Sequence, residues 1–322
     1  MLQFCLLRVT YNFTNLNALN ALCVACVFRI NISLTVYGLM PIQLLPVTTT
    51  IQSGGRILDI SQPVVMGILN ATPNSFYNKG QGSDVDGILR NAELMLKQGA
   101  AILDVGGAST KPGEPLISPA DEMTRIMPAI SAIMKHFPEA WLSVDTYNAP
   151  VAKTAVEAGA AIINDVSGAR FDAAMLATVA RLKVPYIAMH MQGTPETMQQ
   201  NPEYTNVVTE VRNYLRELTD TCISAGISDI IVDPGFGFGK TLEHNYELLR
   251  SLHTVRILGK PILAGISRKS IVCKALKVNP ENALNGTTAL HMVALQQGAN
   301  ILRVHDVKEA MQVIELWRWM QG

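Results

Sequence analysis

Eight polar residues of this chain end or interrupt apolar runs. Asn70 closes VVMGILN, Asp104 lies in AILDVGG, Asp145 in WLSVDT and Asn164 in IINDVSG; His190 ends PYIAMH, Asp233 ends IIVD, and Arg303 and His305 lie in ILRVH. Capping of the following helix explains any one of them. It does not explain eight, because a buried Asp or Asn without a partner is costly. A ligand that supplies several donors and acceptors is therefore implied. The stretch Ile230–Lys240, IIVDPGFGFGK, is central to this reading. An apolar run delivers Asp233 to a turn in which Gly235, Gly237 and Gly239 free the backbone to bend or to approach a ligand. Phe236 and Phe238 offer flat apolar surface, and Lys240 closes the turn with a positive charge.

Two further segments suit anions. Gly106–Gly113 (GGASTKPG) offers backbone N–H groups, two hydroxyls and Lys111. Ser267-Arg268-Lys269-Ser270 precedes a short helical pattern, and a helix N-terminus attracts negative charge. Together with Arg303 and His305 this predicts acidic and amide groups on one side and an anion cradle on the other. The matching ligand is a neutral, donor-rich ring with a phosphate tail.

These residues need a scaffold that brings distant segments to one place. From about Val47 onward, short apolar runs alternate with amphipathic patterns. Gln52–Arg56 reads as a hairpin turn with Ile57–Ile60 as a lead-in strand. Eight strand-then-helix units follow, beginning with the strands Val64–Asn70, Ala101–Gly107, Trp141–Thr146, Ile162–Gly168, Pro185–His190, Ile230–Asp233, Pro261–Ser267 and Ile301–His305. Such alternation calls for parallel strands joined by helical crossovers. Eight units in about 260 residues predict an α/β fold, the closed (β/α)8 TIM barrel with a short N-terminal hairpin lead-in. An open doubly wound sheet is the rival, but no GxGxxG follows the first strand. In a barrel the C-terminal strand ends converge on one face, which places all eight polar residues together.

Composition narrows the function classes. The 322 residues carry 26 Lys plus Arg against 26 Asp plus Glu, a balance that argues against nucleic acid and membrane surfaces as partners. Of five cysteines only Cys222 and Cys273 fall in the body of the chain, which suits a reducing cytosol and a cytoplasmic location. The first 46 residues differ from the rest: they contain Arg8 and Arg29 but no acidic residue, and Arg29 interrupts the apolar run Ala18–Phe28. A start codon assigned too early, with the working chain beginning near Met40, is the favoured explanation. A targeting segment ranks second and a structured N-terminal domain third. Residues 1–46 are expected to form a loosely attached extension and residues 47–322 a single barrel domain.

The chain from about Gln52 onward resembles dihydropteroate synthases. The resemblance rests on MGILNATPNSF (Met66–Phe76), ILDVGGASTKPG (Ile102–Gly113), SVDT (Ser143–Thr146), INDVSG (Ile163–Gly168), MHMQGTP (Met189–Pro195), DPGFGFGK (Asp233–Lys240), SRKS and RVHD (Arg303–Asp306). It implies condensation of 6-hydroxymethyl-7,8-dihydropterin pyrophosphate with 4-aminobenzoate, giving 7,8-dihydropteroate and pyrophosphate, with Mg2+ present. It also implies roles for residues. Asp233 would accept hydrogen bonds from the pterin, with Asn164 and Asp145 at other ring edges and Lys269 at the carbonyl side. Thr110, Arg303 and His305 would hold the pyrophosphate, and Asn70 would be the protein ligand of Mg2+. Pro73, Phe238, Arg268 and Ser270 would shape the aminobenzoate pocket. Lys269, Asp233 and the loop residue Asn74 carry the implied catalytic roles, and a homodimer is the implied assembly.

Two positions depart from the family pattern. Asn74 stands where aspartate is usual, which removes a charge that would stabilise a developing cation. Lys111 stands where arginine is usual, keeping the charge but losing the bidentate fork. Two rival readings follow: a catalytically weak or silent pterin-binding relative, favoured by Asn74, and a methyltetrahydrofolate-dependent methyltransferase. The methyltransferases share the pterin-reading Asp and Asn but do not need SRKS and RVHD to hold pyrophosphate.

Overall fold

A computed structural model describes residues 47–71, 85–108 and 113–322. The hairpin pairs β1 (Thr50–Ser53) with β2 (Arg56–Asp59), turning at Gly54 and Gly55, whose φ angles of 55° and 77° suit a tight turn between twisted strands. The chain then runs through β3 (Val64–Asn70), α1 (Val85–Lys97), β4 (Ile102–Gly106), α2 (Pro119–His136), β5 (Trp141–Asp145) and α3 (Ala149–Glu157). It continues through β6 (Ile162–Asp165), α4 (Met175–Leu182), β7 (Tyr186–Met189), α5 (Val207–Ser224), β8 (Ile230–Asp233) and α6 (Leu242–Arg250). A 3-10 turn (Leu252–Leu258) leads to β9 (Leu263–Ala264), α7 (Ser270–Leu276), α8 (Leu284–Gln296), β10 (Ile301–Val304) and α9 (Val307–Gln321).

Strands β3 to β10 are parallel neighbours in the order β8-β7-β6-β5-β4-β3-β10-β9, and a parallel bridge between Val232 and Ile262 joins the two ends. This is the predicted barrel. The seventh strand is far shorter than Pro261–Ser267: only Leu263 and Ala264 are regular, because the chain leaves the ladder at Gly265 to form the turn that carries Lys269.

Strand alternation sorts every side chain. Met66, Ile102, Trp141, Ile162, Ile187, Ile231, Leu263 and Ile301 point inward and pack with Ile51 and Ile60 of the hairpin segment, which plugs the lower end. Their neighbours Val65, Leu103, Leu142, Ile163, Tyr186, Ile230, Ala264 and Leu302 point outward under the helices. The hairpin is fixed there by Gln52 N–H donating to Asp229 Oδ2 at 3.1 Å, and by Arg56 stacked 5.1 Å from the Trp141 ring. With the lower end of the barrel filled by apolar side chains, the polar side chains of its interior gather at the opposite end.

The helices follow local rules. Helix α2 starts where Ser118 Oγ accepts from Asp121 N–H at 3.2 Å and Pro119 occupies the first turn, and it buries Ile126, Ala129, Ile130 and Ile133 against the sheet. Helix α6 starts on Thr241, whose hydroxyl accepts from His244 N–H while the His244 ring accepts from Thr241 N–H. No helix among the described residues is long and apolar enough to cross a membrane.

Candidate active site

Two residues above the inward apolar layer, a rise of about 6.6 Å, the same inward register carries Asp104, Ser143, Asn164, Met189, Asp233, Gly265 and Arg303. Asn70, Gly106, Asp145 and His305 continue that parity one step higher on their strands. The polar lining of the mouth therefore follows from strand alternation above a greasy floor.

Arg303 organises one side. Its Nε donates to Asp104 Oδ2 at 2.6 Å and its Nη2 to Asp145 Oδ2 at 2.7 Å, while Asn164 Nδ2 donates to the same Asp104 oxygen at 3.0 Å. Asp104 is fully buried, yet among the described residues its Oδ1 has no partner, nor has the buried hydroxyl of Ser143, its neighbour across the strand pair. Such atoms await donors from a bound ligand or solvent. Burial drives the Asp145 carboxyl up to about 7; Arg303 opposes this, and the adjacent Asp104 adds to it. For Arg303, burial opposes the charge, but Asp104 and Asp145 outweigh it and leave its pKa raised.

Asp233 and Lys269 form the other side around Gly265. A β-carbon built on that glycine would lie 3.4 Å from Lys269 Nζ and 3.9 Å from Asp233 Oδ2, so the missing side chain leaves room between them. Burial raises the pKa of Asp233, against the pull of Lys269 and of the Gly235 N–H that donates to Asp233 Oδ1 at 2.7 Å. Burial pushes Lys269 down to about 8. Its Nζ donates to Phe236 O at 2.9 Å and stands 4.6 Å over the Phe238 ring, a cation–π contact. His305 sits at the exposed rim, its Nδ1 3.0 Å from Ser267 Oγ. Ser270 and Asn70 are also exposed at this end.

The structure brings Asp145, Asn164, Asp233, Phe238, Lys269, Arg303 and His305 to the one mouth, and Asp104 joins them at its centre. The sequence pattern placed acids and cations on opposite sides. The structure instead sets Arg303 between two carboxylates. Arg268 is engaged elsewhere: its guanidinium forks onto Asp306 at 2.8 and 2.7 Å, and Nη1 reaches Pro280 O and Glu281 O. Its backbone is left-handed, with φ of 54°, in the turn before α7. His190 does not join the network. It is one residue past the inward Met189, and its Nδ1 lies 2.9 Å from the buried Nζ of Lys240. Lys240 itself is turned into the protein, not toward solvent. Asn74, Pro73, Thr110 and Lys111 lie outside the described residues, as does the extension 1–46.

Sequence reasoning passed over Glu122, whose Oε2 accepts from Thr146 Oγ1 at 3.0 Å and Asn148 Nδ2 at 2.7 Å, and Asn245 beneath the glycine turn; it read Ser267 only as part of an anion-binding turn, whereas its Oγ meets His305. Glu122 carried a usable signal, a carboxylate in the first turn of a helix otherwise apolar on that face. Asn245 carried none: its partners Gly237, Lys240 and Thr241 are near in sequence, but an asparagine in the first turn of an amphipathic helix reads as a surface residue.

A barrel whose mouth combines paired carboxylates, an amide, two cations and aromatic surface defines an enzyme site for a planar, donor-rich small molecule. Residues 66–305 match the family of pterin binding enzymes. The dihydropteroate synthase of Haemophilus influenzae is 42% identical over 268 residues, covering 83% of this chain and 97% of that protein. That of Escherichia coli is 44% identical over 266 residues, covering 81% and 94%. Among solved structures, Yersinia pestis dihydropteroate synthase with a sulfonamide drug complex superposes with a TM-score of 0.80 at 39% identity, covering 84% of this chain and 99% of that one. The Xanthomonas albilineans enzyme in complex with 7,8-dihydropteroate gives 0.77 at 36% identity, with 85% and 99% covered. The chain belongs to the pterin-binding enzymes and, within them, to the dihydropteroate synthases.

Proposed function

We propose that this chain transfers the pterin-methyl group of 6-hydroxymethyl-7,8-dihydropterin pyrophosphate to the amine of 4-aminobenzoate, forming 7,8-dihydropteroate and pyrophosphate in folate biosynthesis. The observation that carries this reading is the pair of buried acceptor sites, Asp233 on one side and Asp104 with Asp145 on the other. Asp104 and Asp233 each stand two residues above the apolar layer, and each site is backed by a cation. A carboxylate accepts two hydrogen bonds at once, and charge-assisted bonds contribute roughly 1.5–3 kcal/mol each, enough to select a ring with N–H and amino donors.

In this reading Asp233 takes the N–H and 2-amino edge of the pterin. Asn164 and Asp145 read its other edges, and Lys269 donates to its carbonyl side. As the methylene carbon–oxygen bond breaks, its electron pair leaves on the pyrophosphate. Arg303 offsets that charge where it grows, and His305 and Thr110 stabilise it by hydrogen bonding. The amine nitrogen of 4-aminobenzoate then donates its lone pair to the methylene carbon and releases a proton to solvent. Phe238 and Ser270 flank the incoming amine, while Arg268, clamped to Asp306, holds the turn that carries Ser270.

Mg2+ fits the donors present. Among the described residues no three His, Cys, Asp or Glu side chains gather into a metal cage. A magnesium ion that keeps its waters and is held chiefly by substrate phosphates needs only one amide oxygen such as that of Asn70. When bound it would neutralise the departing pyrophosphate. A homodimer, a cytoplasmic location, and a barrel domain that works without residues 1–46 belong to the same proposal.

Pyrophosphate release by the purified chain, with Mg2+ and with or without 4-aminobenzoate, tests it. Release that depends on 4-aminobenzoate and yields dihydropteroate supports the synthase. Tight pterin pyrophosphate binding without turnover points instead to the silent relative favoured by Asn74. A chain begun at Met40 that keeps full turnover would make the extension dispensable.

A further inference from the structure

The glycine turn after β8 is held from two sides by two lysines, and only one of them faces the mouth. The carbonyls from Gly235 to Gly239 are each met by a side-chain donor, and Gly235 O also accepts from Phe238 N–H at 3.1 Å. Phe236 O accepts from Lys269 Nζ at 2.9 Å, Gly237 O from Gln199 Nε2 at 2.8 Å, and Gly239 O from Tyr204 Oη at 2.7 Å. The remaining two, Gly235 O and Phe238 O, accept from Lys240 Nζ at 2.9 and 3.0 Å. The third acceptor of Lys240 is His190 Nδ1 at 2.9 Å. An ammonium has three donors and no acceptor, so all its hydrogen-bonding capacity is spent on this turn and on His190, just past β7.

The environment makes these bonds consequential. Lys240 is 2% exposed, and burial pushes its pKa down to about 7. Burial, with the nearby Lys240 charge, pushes His190 down to about 2, so the imidazole is neutral, and with the ring proton on Nε2 its Nδ1 accepts from the ammonium. The turn cannot slide to find other partners. A β-carbon at Gly235 would collide with the His190 carbonyl oxygen, and one at Gly239 would lie 2.7 Å from Gln192 Cβ. From below, Asn245 Oδ1 accepts from Gly237 N–H at 2.7 Å.

We propose that Lys240 is a positioning residue. By drawing Gly235 O and Phe238 O inward it turns the Phe236 carbonyl and the Phe238 ring outward to meet Lys269. Its effect is greatest on the amine-accepting side of the mouth, because Phe238 stands in the turn itself; the pterin loses only part of its Lys269 contact, since Asp145, Asn164 and Arg303 stand on other strands and Asp233 lies before the turn. This rests on the synthase reading given above.

The test is steady-state kinetics of the full chain carrying Lys240→Met, which keeps the bulk and removes the donors. The expected result is a rise of about tenfold or more in KM for 4-aminobenzoate, with KM for pterin pyrophosphate changed less than about threefold. Values within about twofold of wild type for kcat and both KM overturn the proposal. So does a fall in kcat alone, which reports only a smaller folded fraction. If the variant does not fold, His190→Phe and His190→Gln decide. Loss of the acceptor in Phe should reproduce the KM split and its retention in Gln should restore it; equal behaviour of the two overturns the proposal. A wild-type chain without 4-aminobenzoate-dependent release sinks the synthase reading itself and takes this role with it.

Discussion

Arg303 Nε lies 2.6 Å from Asp104 Oδ2, a contact between residues 199 positions apart that puts a cation at the heart of an acidic mouth. The same guanidinium reaches Asp145, and Asn164 completes the Asp104 oxygen. Buried pairs of this kind contribute little net stability when intact, yet removing one partner leaves uncompensated charge. Arg303→Met is expected to lower stability by about 3–5 kcal/mol, since two carboxylates lose their cation together. The midpoint of urea unfolding measures it. A midpoint equal to that of wild type would show that Asp104 and Asp145 are satisfied by other means.

The raised Asp145 pKa makes a signed prediction. Its folded value is about 7 against an ordinary 3.8, so between these limits the folded state holds a proton that the unfolded chain has released. This contribution to stability is fully present below the ordinary value and is lost as pH rises through the folded one. The stability of wild type relative to Asp145→Asn should therefore fall across that window and level off above it. A difference that does not vary with pH would place Asp145 in a far less buried setting.

Adjacent glycines on β4 and just beyond it separate site from scaffold. A β-carbon at Gly106 would lie 3.3 Å from Asp145 Cβ, tight enough to shift that carboxylate by a few tenths of an ångström. Gly106→Ala should raise KM for pterin pyrophosphate severalfold while leaving the unfolding midpoint almost unchanged. At Gly107 the new carbon would run into Ile126 Cγ2 beneath α2, so Gly107→Ala should instead cost about 1–3 kcal/mol of stability. Equal effects of the two substitutions on binding would contradict this division.

Asn74 gives a prediction from sequence alone. Restoring the carboxylate usual in the family, Asn74→Asp, is expected to increase turnover by stabilising positive charge on the pterin methylene. Unchanged or lower kcat would show that this chain does not depend on a charge at that position.

The amino-acid sequence by itself determined the scaffold and most of the mouth. Apolar runs that carry Asn70, Asp145, Asn164, Asp233 and His305 at or near their ends, alternating with helical patterns, called for parallel strands delivering polar groups to one end of a barrel. Asn164 and Asp165 show how far that reasoning reaches. Adjacent in sequence and both buried, they point to opposite sides, so Asn164 meets Asp104 while Asp165 accepts from Tyr186 Oη at 2.8 Å and from the Ser167 and Ala169 N–H groups. Tertiary structure alone decided the pairing of charges. Lys240 and Lys269 look equivalent beside their glycine and serine neighbours, but one is drawn under the turn by His190 and two carbonyls while the other faces the ring of Phe238. The direction of a long side chain is set by whichever partners offset its desolvation, and those partners come from strands that meet only when the barrel closes.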